Sequence, residues 1–333
     1  MTLRFCFLTA LVFSSLGQTS LAQTTEENPV NQNPPAVLQE GDIIDVTPRS
    51  ITDLSYFPPA GLLNLEMGLS LDGVTGEMHN SSDVHIGDVS NSTFILNANF
   101  QGGIAEWLKA GVDIGIGTQT IKFDAESGST DAEAKNKGFT NPAFNVDARV
   151  MNYEKGGPFD LAFQITYIPK IGTPKSGNTS DDGNLLNGRD VFIYGLSAYK
   201  KWGVIEGMLR VKYLAEGTVT KEDASSGNEI KDDGASQLGF DLGLQSKVAN
   251  SLFANAGILV SSIGKSTSGG DPVDAYTNFG MYIGAKLVTN PDKSFIKGGL
   301  LAEVSPDREN ETTGSTLKKI THIALTAAYV IEF

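Results

Sequence analysis

The sequence predicts an all-β fold: a transmembrane antiparallel up-and-down β-barrel of about twelve strands, with a short N-terminal periplasmic leader. Three observations carry that expectation. From Gly61 onward, segments of alternating apolar and polar residues recur, joined by connections that are short and long in turn. No apolar run beyond residue 22 is long enough for a spanning helix, which leaves the closed barrel as the way to cross a membrane. The final segment, Ile323 to Phe333, alternates to its last residue and ends on an aromatic, as the closing strand of an outer-membrane barrel does.

Residues 1–22 read as a signal peptide. Arg4 supplies the basic start, Phe5 to Leu16 the apolar stretch, and Ser20-Leu21-Ala22 the small residues of a cleavage site, so the mature chain is expected to begin near Gln23. The single cysteine, Cys6, lies in that stretch. A mature chain without thiols has no disulfide framework, no thiolate metal site and no cysteine nucleophile. Residues 23–60 form a proline-rich periplasmic leader or plug, punctuated by Asn28-Pro29, Asn33-Pro34-Pro35, Thr47-Pro48 and Phe57-Pro58-Pro59. Its apolar patch Ile51 to Phe57 has two readings, a loose tail or a segment tucked into the barrel.

The barrel is expected over residues 61–333. In its first strand Leu63, Leu65, Met67, Leu69 and Leu71 share one face, while Asn64, Glu66, Gly68, Ser70 and Asp72 share the other. Such a stripe would face a core in a soluble sheet; in a barrel it faces lipid. The same alternation recurs at Phe94–Phe100, Leu108–Ile116, Phe144–Val150, Leu161–Tyr167, Phe192–Ala198, Ile205–Tyr213, Leu238–Leu244, Ala254–Val260, Phe279–Leu287 and Ile296–Val304. Short connections fall at Gly102-Gly103 and near 154–158, 201–203, 246–250 and 288–293. Long polar loops fall near 74–89, 124–140, 171–189, 215–235, 264–274 and 305–315. Short periplasmic turns against long extracellular loops is the outer-membrane pattern, and it requires an even number of strands. Trp107, Tyr153, Phe159, Trp202, Phe253, Phe295 and Phe333 lie beside the short connections or the C-terminus, which suggests an interface girdle led by Trp107, Trp202 and Phe333.

The face opposite the apolar stripe is mixed in sign. Glu66, Asp72, Asp113, Asp147, Glu206, Asp241 and Glu303 share it with Lys109, Arg149, Arg210, Lys212, Lys286 and Lys297, a set expected to line the lumen. These charges suit either a selective conduit or an interior closed by its own ion pairs. Glycines on this face (Gly68, Gly111, Gly115, Gly117, Gly239, Gly243, Gly280, Gly284) leave space for a solute or for the leader. The favoured function is passive passage of small solutes. The rival is a structural or surface-interaction barrel that acts through its long loops.

Other chemistries are weakly supported. A formal net charge of -14 argues against nucleic acid, which requires a basic footprint. His79-Asn80-Ser81 places a serine two residues after a histidine, as in outer-membrane phospholipase A. Here the pair lies in a polar loop, with Asn91 the one candidate for an orienting partner, so no enzyme is expected. His85 and His322 add no metal-ligand spacing, and no cofactor is implied. The acidic loop 215–235 reads as solvated surface with some capacity for divalent cations. Expected partners are outer-membrane lipid and lipopolysaccharide, an unidentified small-molecule solute, and the barrel-assembly machinery acting on the C-terminal strand.

The run Gly102-Gly-Ile-Ala-Glu-Trp-Leu-Lys-Ala-Gly-Val-Asp-Ile-Gly-Ile-Gly117, followed by Asn141-Pro-Ala-Phe-Asn-Val-Asp-Ala-Arg149, resembles the hairpins of the phenol-degradation meta-pathway transporter family of Gram-negative outer membranes. That resemblance implies a barrel passing small, often apolar, organic solutes, distantly similar to fatty-acid transporters. It carries no binding residue onto this chain.

Overall fold

The computed structural model describes residues 53–126, 131–175, 182–222, 229–268, 271–291, 293–309 and 314–333. The stretch read as a signal peptide, 1–22, and most of the segment read as a leader, 23–60, lie outside the described residues. Twelve antiparallel strands form a closed wall: β1 (Leu63–His79), β2 (His85–Ala105), β3 (Leu108–Ala125), β4 (Ala143–Met151), β5 (Asp160–Ile168), β6 (Val191–Trp202), β7 (Ile205–Glu216), β8 (Ser236–Ala249), β9 (Leu252–Ile263), β10 (Tyr276–Asn290), β11 (Ser294–Val304) and β12 (Thr316–Glu332). Neighbours in sequence are neighbours in the wall, and β12 closes on β1 from Asn64 opposite Glu332 to His79 opposite Thr316.

Alternation dictates the two surfaces. The apolar set points outward and stays exposed, as at Met67, Leu96, Ile114, Phe144, Leu209, Leu242, Met281 and Ile323. A soluble protein would not present so continuous an apolar exterior to water. In β1 the stripe ends at Leu71, where Gly73, Thr75 and Glu77 take over. Nine residues from Leu63 to Leu71 extend about 30 Å. Tilted as barrel strands are, they span close to the ~25 Å apolar band of an outer-membrane barrel. The remaining part of the 17-residue strand projects beyond it.

Several of the polar segments between strands are therefore not the loops that alternation suggested. β1 and β2 continue as a ribbon to a tip at Asn80–Val84. Ala132–Phe139 pairs with the outer half of β3, and Val219–Glu222 pairs with Glu229–Asp232. Outside the lipid both faces meet water, so the amphipathic signal disappears while the hydrogen-bond ladder continues.

The short turns also differ in place. Gly102 and Gly103 lie inside β2, and the turn to β3 is Glu106-Trp107. Trp107, Tyr153, Trp202 and Phe333 do stand exposed at the short-turn end. Phe253 and Phe295, placed in the same girdle by the sequence, are buried. They fall on the inward parity of β9 and β11, beside residues 254 and 296 that take the lipid side.

One place interrupts the wall. Ile116 of β3 faces Phe139, but Asp113 faces Ala143, so four steps along one strand match three along the other. The slip falls at Thr140-Asn141-Pro142, where proline can donate no ladder bond. Asn141 stitches the break: its amide donates to the Pro169 carbonyl at 2.8 Å, and its carbonyl accepts the Asn187 N–H at 3.0 Å. Pro169 and Asn187, between β5 and β6, are thereby held against the gap.

Candidate functional site

The thirteen charged residues expected in the lumen take the strand parity opposite the exposed apolar set, and strand register decides which of them meet. Lys109 and Asp147 are directly opposed and pair at 3.2 Å. Arg210 stands opposite Asp241 at 3.9 Å, while its guanidinium also donates to Ser197 Oγ at 3.2 Å. Tyr282 donates its hydroxyl to Asp241 at 2.9 Å. Lys297 reaches over Ala328 of β12 to Glu66, at 2.8 Å. Asp113 is held by the side-chain amides of Asn99 and Asn145. Lys212 lies within electrostatic reach of Asp241 and Asp147, and Lys286 within that of Glu206 and Glu66. Glu303 and Asp72 meet at His322, whose ring nitrogens lie 2.7 and 3.5 Å from their carboxylates.

His322 is a residue that sequence reasoning left out of the lumen. Its inward parity in β12, opposite the lipid-facing Ile323 and Leu325, is the signal that could have placed it. A second omission is apolar. Ala143, Ile168 and Val191 form a buried cluster on the inner face with Ile193 and Leu214 against it, beside the break in the wall. The lumen therefore has a greasy patch among its charges, and a second lies where Tyr282, Leu301 and Ala324 meet Leu259.

The periplasmic mouth is occupied. Residues 53–60 fold into it, with Leu54, Phe57 and Pro58 buried. The Leu54 N–H donates to the Glu206 carboxylate at 3.0 and 3.1 Å, and Asp53 lies 3.6 Å from Lys201. Tyr56 donates to Glu332, and Arg149 to the Ser55 carbonyl. The Phe57 ring lies under Lys109 at 4.8 Å and Arg149 at 4.4 Å, a stacked cation–π arrangement. Thus Arg149, Glu206 and Lys109 hold the leader as well as line the wall.

Glycine makes this seating possible. A Cβ at Gly103 would stand 2.1 Å from the Pro58 carbonyl oxygen and 2.2 Å from that of Pro59. Gly103→Val is therefore expected to expel residues 53–60 and raise conductance in a planar bilayer. Gly239→Ala, whose new methyl would meet nothing nearer than 3.7 Å, is the control expected to conduct as the parent does. Equal conductance in the two variants would overturn the seating.

Other inward glycines are spent on neighbours rather than left as free space. Tyr282 lies across Gly243 and Gly257, where an added Cβ would come within 2.3 Å of its hydroxyl and ring. Gly284 admits the Asn255 amide and Gly68 the Asn97 amide.

The His79-Asn80-Ser81 run lies at the tip of the β1–β2 ribbon. The His79 ring is 3.2 Å from Asp83 and 3.6 Å from Glu77, with Ser81 exposed on the turn. Asn91 belongs to the ladder of β2, opposite Val74 and Ile121. Among the described residues no group of His, Cys, Asp or Glu has the arrangement of a metal site. In the acidic 215–235 segment, Glu216 pairs with Arg189 at 2.7 Å and Asp232 is buried, while Asp223 lies outside the described residues.

No family model matches the chain, and no curated protein sequence does. Solved structures do. An outer membrane channel from Pseudomonas putida F1 is similar at 12% identity over 84% of this chain and 97% of that one, with a TM-score of 0.54. The translocator domain of the autotransporter NalP from Neisseria meningitidis is similar at 13% identity over 81% and 88%, with a TM-score of 0.46. The toluene transporter TodX of P. putida is similar at 10% identity over 82% and 90%, with a TM-score of 0.44. The likeness to the first of these shows the fold: the chain is a closed barrel of the outer-membrane type.

Proposed function

We propose that this chain is an outer-membrane conduit for passive passage of small solutes. The observation that carries the reading is the lumen itself. Its wall is apolar outside and densely charged inside, yet its mouth is filled by a separable segment, residues 53–60, rather than by the wall's own side chains. A barrel serving only as a scaffold has no need of a charged interior that a separate segment must stopper. The similar channel of P. putida F1 supports the reading through its fold. The cluster of Ala143, Ile168 and Val191 offers an apolar stretch of a solute one place to rest. Catalysis is not part of the reading, since the His79 ring is turned to acidic neighbours rather than to Ser81. Outer-membrane lipid and the barrel-assembly machinery, the latter acting on β12, are the partners it implies.

Reconstitution tests it. Liposomes bearing the full chain are expected to swell in small polar solutes, and faster after removal of residues 23–60. Absence of both swelling and conductance in the shortened chain would overturn the reading. The rival then stands, a surface barrel acting through the ribbons β1–β2 and Ala132–Phe139.

A further inference from the structure

On the outside of the wall, just above the apolar band, three lysines stand together. Lys122 lies on β3; Lys135 and Lys137 lie on the paired segment Ala132–Phe139. All three share the outward parity of Ile114, Ile116 and Phe139, the residues that face lipid below them. Position along their own strands sets their height. Lys137 stands one outward step beyond Phe139, and Lys122 three outward steps beyond Ile116, with Thr118 and Thr120 in between. Thr118 pairs with Lys137 and Thr120 with Lys135. The lysines thus lie past the lipid-facing apolar residues of their strands, with apolar side chains beneath them and hydroxyls between them.

Among the described residues their charges are incompletely answered. Glu133 serves two of them, at 2.7 Å from Lys135 and 3.6 Å from Lys122, and Asp182 serves Lys137 at 2.5 Å. Lys175 adds to the positive field around Asp182. The side chains are 48%, 60% and 67% exposed, in a chain whose net charge is -14. The other cationic pair at this end differs: Lys318 and Lys319 are matched one to one by Asp83 and Glu77.

We infer that Lys122, Lys135 and Lys137 form a binding site for the phosphate groups of lipopolysaccharide in the outer leaflet. The acyl chains would lie along Phe139, Ile116 and Phe94, and the phosphates would meet the ammonium groups and the hydroxyls of Thr118 and Thr120. A cation near an anionic bilayer surface contributes to binding in proportion to the charge it meets, and long basic side chains reach that layer readily. Glu133 competes with the lipid phosphate for Lys135 and Lys122. The hydrogen bond from Lys135, working against desolvation and helped by the Lys122 charge, holds the Glu133 carboxyl below its ordinary range, so the competitor stays ionised. The inference rests on the outer-membrane placement, but it does not require the lumen to conduct.

The test uses the full chain in detergent, with retained lipid A measured by native mass spectrometry. Bis-phosphorylated lipid A is expected to be retained and its dephosphorylated form washed out. The triple variant K122Q/K135Q/K137Q is expected to bind about tenfold more weakly, and K122R/K135R/K137R to bind as the parent does. Glu133→Gln is expected to strengthen binding, and K318Q/K319Q to leave it unchanged. Equal retention of the two lipid forms, or a triple variant that folds as judged by heat-modifiable migration and still binds as the parent, would overturn the site. Loss of retention by K318Q/K319Q alone would do the same. Bilayer conductance of the same variants separates the two readings. Lost lipid selectivity in a conducting barrel removes this site alone, and retained selectivity in a silent barrel removes the conduit alone.

Discussion

Removal of residues 23–60 is expected to raise single-channel conductance several-fold while leaving the barrel intact. The described part of that segment fills the mouth through contacts the wall does not need for closure. Leu54 is bonded to Glu206, Tyr56 to Glu332, and Phe57 is sandwiched against Lys109 and Arg149. The β1–β12 ladder begins beyond them, at Asn64 opposite Glu332. Burial of Phe57 stabilises the seated state by about 2 kcal/mol, so the thermal midpoint should fall modestly in the deletion. The Glu206 carboxylate, buried beneath Leu54 in the full chain, becomes accessible to ions. Planar-bilayer recording of the two chains side by side is the measurement. An unchanged conductance would mean that the lumen is closed above the leader, by its own charge pairs.

Arg210→Ala is expected to destabilise the barrel by about 3 kcal/mol and to shift its selectivity toward cations. Arg210 is buried on the inner wall, opposite Asp241 and bonded to Ser197. Truncation leaves the Asp241 carboxylate the Tyr282 hydroxyl at 2.9 Å and the electrostatic reach of Lys212, and shifts the lumen by one negative charge. Arg210→Lys should keep most of the selectivity and lose part of the stability, because an ammonium cannot reproduce the planar donor set. Reversal potentials under a salt gradient and melting in detergent read the two effects separately. A melting loss without any change in reversal potential would show that Arg210 braces the wall outside the conducting path.

The wall was legible in the sequence because a strand's side chains alternate with a strict period of two. That period alone puts Met67 and Ile323 on the lipid side and Glu66 and Lys297 on the inner side. It did not mark where strands end once both faces meet water, so the β1–β2 ribbon read as a loop. Nor did it separate an aromatic beside a turn from one facing lipid. Phe253 and Phe295 lie near turns as Trp107 does, but one step of parity turns them inward, where Phe295 packs on Val330 and Tyr56. Gly102-Gly103 read as a turn because glycine commonly marks one; here the missing side chain of Gly103 admits the carbonyls of Pro58 and Pro59.

By itself, then, the sequence determined the class of fold, the outward and inward faces, and the inventory of charges available to the lumen. Tertiary structure decided which charges meet. Lys297 and Glu66 lie 231 residues apart and touch only because β12 inserts between β11 and β1 with a small residue, Ala328, beneath the lysine. His322 joins Glu303 and Asp72 for the same reason, and residues 53–60 become a stopper only once a mouth of the right width exists to receive them. Alternation is a local property of one strand, fixed by backbone geometry. Contact across a barrel depends on stagger and closure, which are set by all the strands together.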